Sequence, residues 1–209
     1  MTWKSGILLL ALLPMTAFSQ HDLVLKNNHS GIISGGMRTT ISTFNHGNWQ
    51  DVGTGAGGEF RLQLHDRVNT EWFADYLRSK IGNSGNRQDA HIGLSIMFYP
   101  LKDPSYKKLL KPYVVMGWCF DYTKVGENAN PNNTYERWSA AIQTGIGNHI
   151  NLTERFDITV IAQYMFHLGK HLEAHEQEGV FEIHEHGGLN LEGHLLFTVG
   201  VNYKIADLW

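Results

Sequence analysis

The chain has 209 residues, a formal net charge of −3, only 18% charged residues, 22 glycines and a single cysteine, Cys119. A slightly acidic chain lacks the basic surface that nucleic acid requires, so we expect no nucleic-acid partner. One cysteine excludes an internal disulfide and therefore the disulfide-stapled secreted scaffolds. The length suits one ordinary domain, and the glycine content together with the low charge favours many strands and turns.

The first residues predict a secretory signal peptide over residues 1–19. Lys4 supplies the positive start, residues 7–13 form a short apolar core, and Ala17-Phe18-Ser19 provides the small residues before cleavage. The predicted mature domain is then 20–209. Beyond the signal no apolar run approaches the ~18 residues of a membrane-spanning helix, so any crossing of a bilayer must use strands.

Taken in chain order, eight segments alternate between apolar and polar residues, the two-residue period of a β-strand. Their apolar faces run through residues 33–43, 60–64, 70–76, 92–98, 114–122, 138–146, 158–166 and 191–205. The closing segment is the clearest, because Leu195, Phe197 and Val199 alternate with polar or small residues. Its length exceeds the ~5–6 residues of a soluble strand and reaches the ~9–11 that a tilted transmembrane strand needs.

Charge is distributed on one side of these segments only. The apolar faces carry no Asp, Glu, Lys or Arg, whereas the opposite faces hold Arg38, Glu59, Arg61, Glu71, Asp75, Asp121, Arg137, Asp157, Glu192 and Lys204, with His91 on the fourth segment. A charge facing lipid costs about 2–4 kcal/mol at the midplane, so a bilayer selects for its absence. We predict an all-β, eight-stranded antiparallel up-and-down transmembrane β-barrel.

A soluble barrel of the lipocalin type is the alternative, since the same strands would then turn their apolar faces inward. The polar faces argue against it, because they are rich in Gly, Ser and Thr and nearly free of Lys, which suits a crowded interior. Connection lengths also alternate, with tight turns at Asp66–Arg67 and 148–155 and a longer connection at 101–111 on the predicted periplasmic side. Long loops near Trp49, Asn83, Asn130 and His175 are expected outside the cell.

This pattern resembles the small eight-stranded outer-membrane barrels, such as the membrane domain of OmpA and OmpX. The end of the signal, Ala17-Phe18-Ser19-Gln20, is similar to those common in Bacteroidota. The resemblance implies a Gram-negative outer-membrane protein that contacts outer-membrane lipid, lipopolysaccharide and other outer-membrane proteins. Such barrels usually close on a strand that ends in an aromatic residue; Trp209 is terminal, but Asp207 interrupts the alternation, so Ile205 is the expected last membrane residue.

An eight-stranded barrel has an interior just wide enough for side chains, where charges must be paired. We therefore predict a plugged lumen and a non-enzymatic role in surface binding, anchoring or assembly with other membrane proteins. The alternative is a hydrolase or acyltransferase that modifies lipid A. The lipid A deacylase resembles the chain in size and architecture, but its His-any-Ser signature is absent; His167 with Ser139 and a loop carboxylate is the constellation left for this alternative.

The last loop, residues 168–189, is rich in histidine and acidic residues. We predict His171, His175, His184 and His186 as candidate ligands for Zn, Ni or Cu, because imidazole with carboxylate support suits these metals. A solvated polar loop is the competing interpretation, and no other cofactor is expected. Cys119 is predicted to be a small packing residue.

Overall fold

The computed structural model describes residues 30–44, 52–101, 108–169, 171–177, 180–186 and 193–208. Its strands are β1 (Ile32–Phe44), β2 (Gly53–His65), β3 (Val68–Ile81), β4 (Gly85–Phe98), β5 (Leu110–Glu127), β6 (Thr134–Asn151), β7 (Phe156–Leu168), β8 (His171–Gln177), β9 (Val180–His186) and β10 (Gly193–Asp207). Among these residues no helix is long and apolar enough to cross a membrane. The predicted signal segment lies outside the described residues.

Eight of the strands close into one barrel in the order β1-β10-β7-β6-β5-β4-β3-β2, while β8 and β9 form a separate two-stranded sheet. Every neighbouring pair in the barrel is antiparallel, including the β1–β10 pair that closes it. The predicted eight-stranded antiparallel barrel is confirmed. Closure leaves no unpaired sheet edge, which a bilayer without hydrogen-bonding partners requires.

The two faces of the wall are divided as the alternation predicts. Large apolar side chains are exposed on the outside, among them Met37, Trp118 and Val199. The predicted polar-face residues that the structure describes are buried inside: Arg38, Glu59, Arg61, Glu71, Asp75, His91, Asp121, Arg137, Asp157 and Lys204. Glu192 lies outside the described residues. The soluble alternative would reverse these faces, so the structure excludes it.

Aromatic pairs lie on the outer surface of the wall near the strand ends. Tyr122 and Trp138 have ring centroids 5.0 Å apart at one end of the barrel, and Phe156 and Tyr203 have centroids 4.8 Å apart at the other. Amphipathic rings at both ends of an apolar belt are the girdles expected at the two membrane interfaces.

The two ends of the barrel differ in their connections. One end of the barrel carries the turns at 66–67 and 152–155. Strand β1 starts and β10 finishes there, and we call it the turn end. The opposite end, called the loop end, is taller than predicted. The sequence predicts long loops near Asn83 and Asn130, but β3 and β4 are joined by the turn 82–84, and the strands β5 and β6 extend to Glu127 and from Thr134.

The predicted last loop also contains unexpected structure, because β8 and β9 form an antiparallel hairpin within it. Ala174 and Phe181 of this hairpin pack with Ile81 and Val125 in a buried apolar cluster, against which Tyr135 and Ile183 also lie. The hairpin is thus attached to the inner side of the tall wall at the loop end. A second cluster of Phe73, Cys119, Ala141, Met165 and Leu196 lies within the barrel, and Cys119 is a packing residue there.

Candidate functional site in the barrel interior

Three carboxylates from β2 and β3 lie around one buried arginine. Arg38 on β1 donates from Nε to Asp75 Oδ1 at 2.7 Å and from Nη1 to Glu71 Oε1 at 2.9 Å, and its Nη2 also contacts Asp75 Oδ2. Glu59 Oε2 is 3.6 Å from Nη1. The guanidinium lies 4.2 Å from the centre of the Phe73 ring. All these side chains point inward because they occupy the inner parity of their strands.

A second buried pair lies nearer the turn end. Arg61 Nη2 donates to both carboxylate oxygens of Asp157, at 2.7 and 2.8 Å. His149 is held beside it, with Nδ1 2.8 Å from Thr159 Oγ1 and Nε2 2.9 Å from the Tyr99 hydroxyl. Two charge-assisted hydrogen bonds from one guanidinium nitrogen balance both charges within a narrow interior.

A third group, nearer the loop end, contains imidazoles instead of a shared arginine. We call Asp89, His91, Asp121, His167 and His194 the imidazole cluster; all five are buried. Asp121 Oδ1 lies 3.2 Å from His91 Nε2, and Asp121 Oδ2 lies 3.0 Å from His167 Nδ1. The Nε2 atoms of His167 and His194 face each other, and His194 Nδ1 is 3.1 Å from Ser42 Oγ.

Asp89 connects the imidazole cluster to the next arginine along β4. Arg87 Nε donates to Asp89 Oδ1 and Oδ2 at 2.7 and 2.8 Å. Thr123 donates to Asp89 Oδ1 at 2.8 Å and also lies 3.2 Å from Asp121 Oδ2. The hydroxyl of Thr123 therefore bridges the two carboxylates of the cluster.

Ser139 joins His167 and Asp121, but not in the geometry of a serine hydrolase. Its Oγ lies 3.4 Å from His167 Nδ1 and 3.3 Å from Asp121 Oδ2, so serine and carboxylate share one imidazole nitrogen. A catalytic triad needs the serine on one nitrogen and the carboxylate on the other. The carboxylate also comes from β5 rather than from a loop, and all three side chains are buried inside the barrel, away from lipid.

The predicted metal ligands lie on the β8–β9 hairpin, and only their backbone positions are described. The register places His171 opposite His186, and it places His184 opposite Glu173. His175 is opposite Glu182, whose side chain is exposed. By strand alternation these positions share the hairpin face opposite to the one that carries Ala174 and Phe181.

Known structures share this fold, although no protein-family model and no curated protein sequence matches the chain. Neisserial surface protein A aligns with a TM-score of 0.54 at 13% identity, over 84% of this chain and 97% of that one. A major outer membrane protein from Thermus thermophilus gives 0.55 at 9% identity, over 82% and 98%. OprG from Pseudomonas aeruginosa gives 0.50 at 13% identity, over 85% and 97%.

This fold, with its exposed apolar belt, is that of the small eight-stranded outer-membrane β-barrels. The sequence pattern found the inward position of His91 and Asp121 but not their association with His167 and His194. Inner parity was the available signal for all four residues. Which inward residues meet depends on the stagger of the strands around the barrel, which a single sequence does not reveal.

Proposed function

We propose that this protein is a non-enzymatic outer-membrane barrel with a closed interior, whose loop end faces the outside of the cell and binds a surface molecule or a neighbouring membrane protein. The observation that supports this most is the series of paired charges across the interior. Arg38, Arg61 and Arg87 each reach inward and are each held by carboxylates. Unpairing any of them would leave a buried charge, so they resist displacement by a passing solute.

The interior space described near the turn end is small. Near the turn end, the cavity lined by Arg61, Tyr99, Lys111, His149 and Lys204 has a volume of about 30 Å³. That volume holds about one or two water molecules. A barrel of this width and filling supports a role at its surface rather than a diffusion pore.

The loop end offers the more suitable binding surface. Strands β3 to β6 rise there as a tall wall, and an open groove beside β3 and β4 is lined by Arg78, Lys80, Asn86, Gln88 and Asn128. Positive and amide groups in one groove suit an anionic partner, because guanidinium and ammonium groups bind phosphate, sulfate and carboxylate.

Two measurements test this proposal. In liposome-swelling and planar-bilayer assays, the purified protein is expected to admit no small sugar and to give no steady conductance. A sustained open channel would contradict the closed interior. Photo-crosslinkers placed at Arg78 and Lys80 in living cells are expected to capture a partner from outside the barrel, and the same crosslinker at Leu152, at the turn end, is expected to capture none of it.

Metal capture by the β8–β9 hairpin is a second candidate, favoured by the register that pairs His171 with His186 and His184 with Glu173. Neutral imidazoles beside carboxylates suit Zn, Ni and Cu. Calorimetry should detect binding of these ions to the folded protein and its loss when His171, His175, His184 and His186 are all changed to Ala. Equal weak binding by both proteins would end this idea.

The enzymatic alternative, modification of lipid A, gains no support from the arrangement around His167. It is tested by lipid A mass spectra from cells with and without the gene. The expected result is an unchanged set of acyl chains, and a missing or added chain that depends on the gene would replace the non-enzymatic proposal with a lipid A hydrolase or acyltransferase.

A further inference from the structure

Asp121 differs from the other buried carboxylates of the described residues in the partner that balances its charge. Glu59, Glu71 and Asp75 lie against Arg38, Asp157 lies against Arg61, and Asp89 lies against Arg87. Among the described residues, the polar partners of Asp121 are two imidazoles and two hydroxyls, those of His91, His167, Ser139 and Thr123. A carboxylate this deeply buried needs a positive charge beside it.

The surroundings of Asp121 provide metal-binding atoms at suitable separations. Ligand atoms of Asp89, His91 and Asp121 all lie within 4.8 Å of one another. His91 Nε2 and Asp121 Oδ1 are 3.2 Å apart, and ligands at about 2.0–2.1 Å from a tetrahedral zinc are separated by about 3.3 Å. Neither His91 Nε2 nor Asp121 Oδ1 completes a hydrogen bond among the described residues, although both residues are at most 1% exposed.

We propose that the imidazole cluster is a metal site inside the barrel that binds one divalent ion of the zinc class through His91, Asp121 and Asp89. His194 completes the surroundings of these ligands without being one of them, because its ring stands edge-on to that of His91 while its two nitrogens face Ser42 and His167. His167 is a positioning residue, since it holds the second oxygen of Asp121. Such carboxylate–histidine contacts commonly orient metal ligands.

The fold explains how such a site would be assembled. His91 comes from β4, Asp121 from β5, His167 from β7 and His194 from β10. His91 and Asp121 are paired directly on the neighbouring strands β4 and β5, whereas His167 and His194 reach them only when the barrel closes, so closure would complete the site around the ion. The site is separate from the proposed hairpin site, and neither depends on the other.

The test uses the full mature chain with His171, His175, His184 and His186 changed to Ala, so that hairpin histidines cannot contribute. The protein is refolded in detergent with Zn²⁺ or Co²⁺, dialysed, and analysed for metal content and for the visible absorption of Co²⁺. We expect one ion per chain and the intense d–d bands of a low-coordinate nitrogen and oxygen site. Absence of bound metal would overturn the proposal.

His91→Gln identifies the ligand, and His149→Gln is the matched control because His149 is also a buried histidine, outside the cluster. Loss of a ligand should weaken Zn²⁺ binding at least about 100-fold, more than the loss of an outer-sphere partner. Equal affinity in a folded His91→Gln protein would contradict the site. If this variant does not fold, zinc-edge X-ray absorption of the parent must show imidazole scattering, and its absence would overturn the proposal.

Discussion

Arg38 is a buried arginine that balances the charge of several carboxylates at once. Three carboxylates, from Glu59, Glu71 and Asp75, converge on its guanidinium, and all four side chains are at most 2% exposed. Like charges at this separation repel each other strongly in a low dielectric. Arg38 therefore stabilises a group of carboxylates that would otherwise repel one another across the β2–β3 pair.

Removing that cation is expected to destabilise the folded state. Arg38→Met keeps much of the side-chain volume but leaves the buried carboxylates unbalanced, and the free energy of unfolding should fall by about 3–5 kcal/mol. The measurement is denaturant unfolding in lipid vesicles, followed by tryptophan fluorescence. Glu71→Gln, which lowers the local negative charge, should cost less, and the exposed Arg78→Met should change little. A loss below about 1 kcal/mol for Arg38→Met would contradict this role.

Backbone packing between β2 and β3 gives a second prediction at this scale. A Cβ added to inward-facing Gly57 would lie 2.1 Å from both the Ala74 carbonyl oxygen and Asp75 Oδ1, whereas one added to outward-facing Gly58 would meet its nearest atom at 3.6 Å. Gly57→Ala should lower stability by about 1–3 kcal/mol through overpacking. Gly58→Ala should be nearly neutral in the same unfolding assay, and equal costs for the two variants would refute this packing.

The inward or outward orientation of each residue could be predicted from the sequence, but its partner could not. Alternation alone placed Arg38, Glu71 and Asp157 inside, because a strand has a fixed period of two. The pairing of Arg61 with Asp157 joins residues far apart in the chain, from β2 and β7, which are not neighbours in the sheet. Such contacts cross the lumen and depend on strand stagger, for which the local pattern holds no signal.

At the level of strands, the pattern identified the part of each strand that contacts lipid and missed what extends beyond it. Near the loop end, outward positions such as Gln88, Lys124 and Glu136 are polar, because they no longer face hydrocarbon. Lys124 Nζ and Glu136 Oε1 form an exposed pair 2.7 Å apart on the extended β5–β6 wall. Where both faces of a strand are polar, the sequence pattern predicts a loop, although the backbone hydrogen bonds between the strands continue.

The β8–β9 hairpin was missed for a related reason, since its sequence is dominated by His and Glu. Its attachment depends on a few apolar contacts, chiefly Phe181, which packs with Ile81 and Val125. The ring occupies the space beside Gly85, where an added Cβ would lie 2.2 Å from it. Replacing Gly85 would therefore displace the ring.

Phe181→Ala is expected to release the hairpin while the barrel stays folded. Losing a buried phenylalanine costs about 3–5 kcal/mol, and every 1.4 kcal/mol raises the open population tenfold. Limited proteolysis should therefore cut the segment 169–193 more than tenfold faster, without loss of the heat-resistant barrel on gels. The control is Glu182→Ala, which changes the adjacent exposed residue. An unchanged cleavage rate would show that the hairpin does not depend on this contact.

For the whole molecule, the alternation of apolar and polar residues along each strand gives the barrel two different surfaces, one outside and one inside. The outside exposes large apolar residues around the barrel, including Met37, Ile92 and Trp138, while the inside buries paired charges and imidazoles. In water this division would be unfavourable on both faces. In a bilayer it is favourable on both, because hydrocarbon covers the belt and the interior charges compensate one another.

The position of an outward-facing residue along the barrel axis should therefore determine how much a charge placed there lowers the free energy of unfolding. Val199 lies in the middle of β10, paired with Thr39 and Val160, and is 45% exposed; Leu152 lies in the 152–155 turn and is 57% exposed. Val199→Arg should cost about 2–4 kcal/mol in lipid vesicles, and Leu152→Arg only about 0–1 kcal/mol. Both variants are compared by reversible denaturant titration with the same lipid. Similar costs at both positions, despite their different heights, would mean that hydrocarbon does not cover the belt.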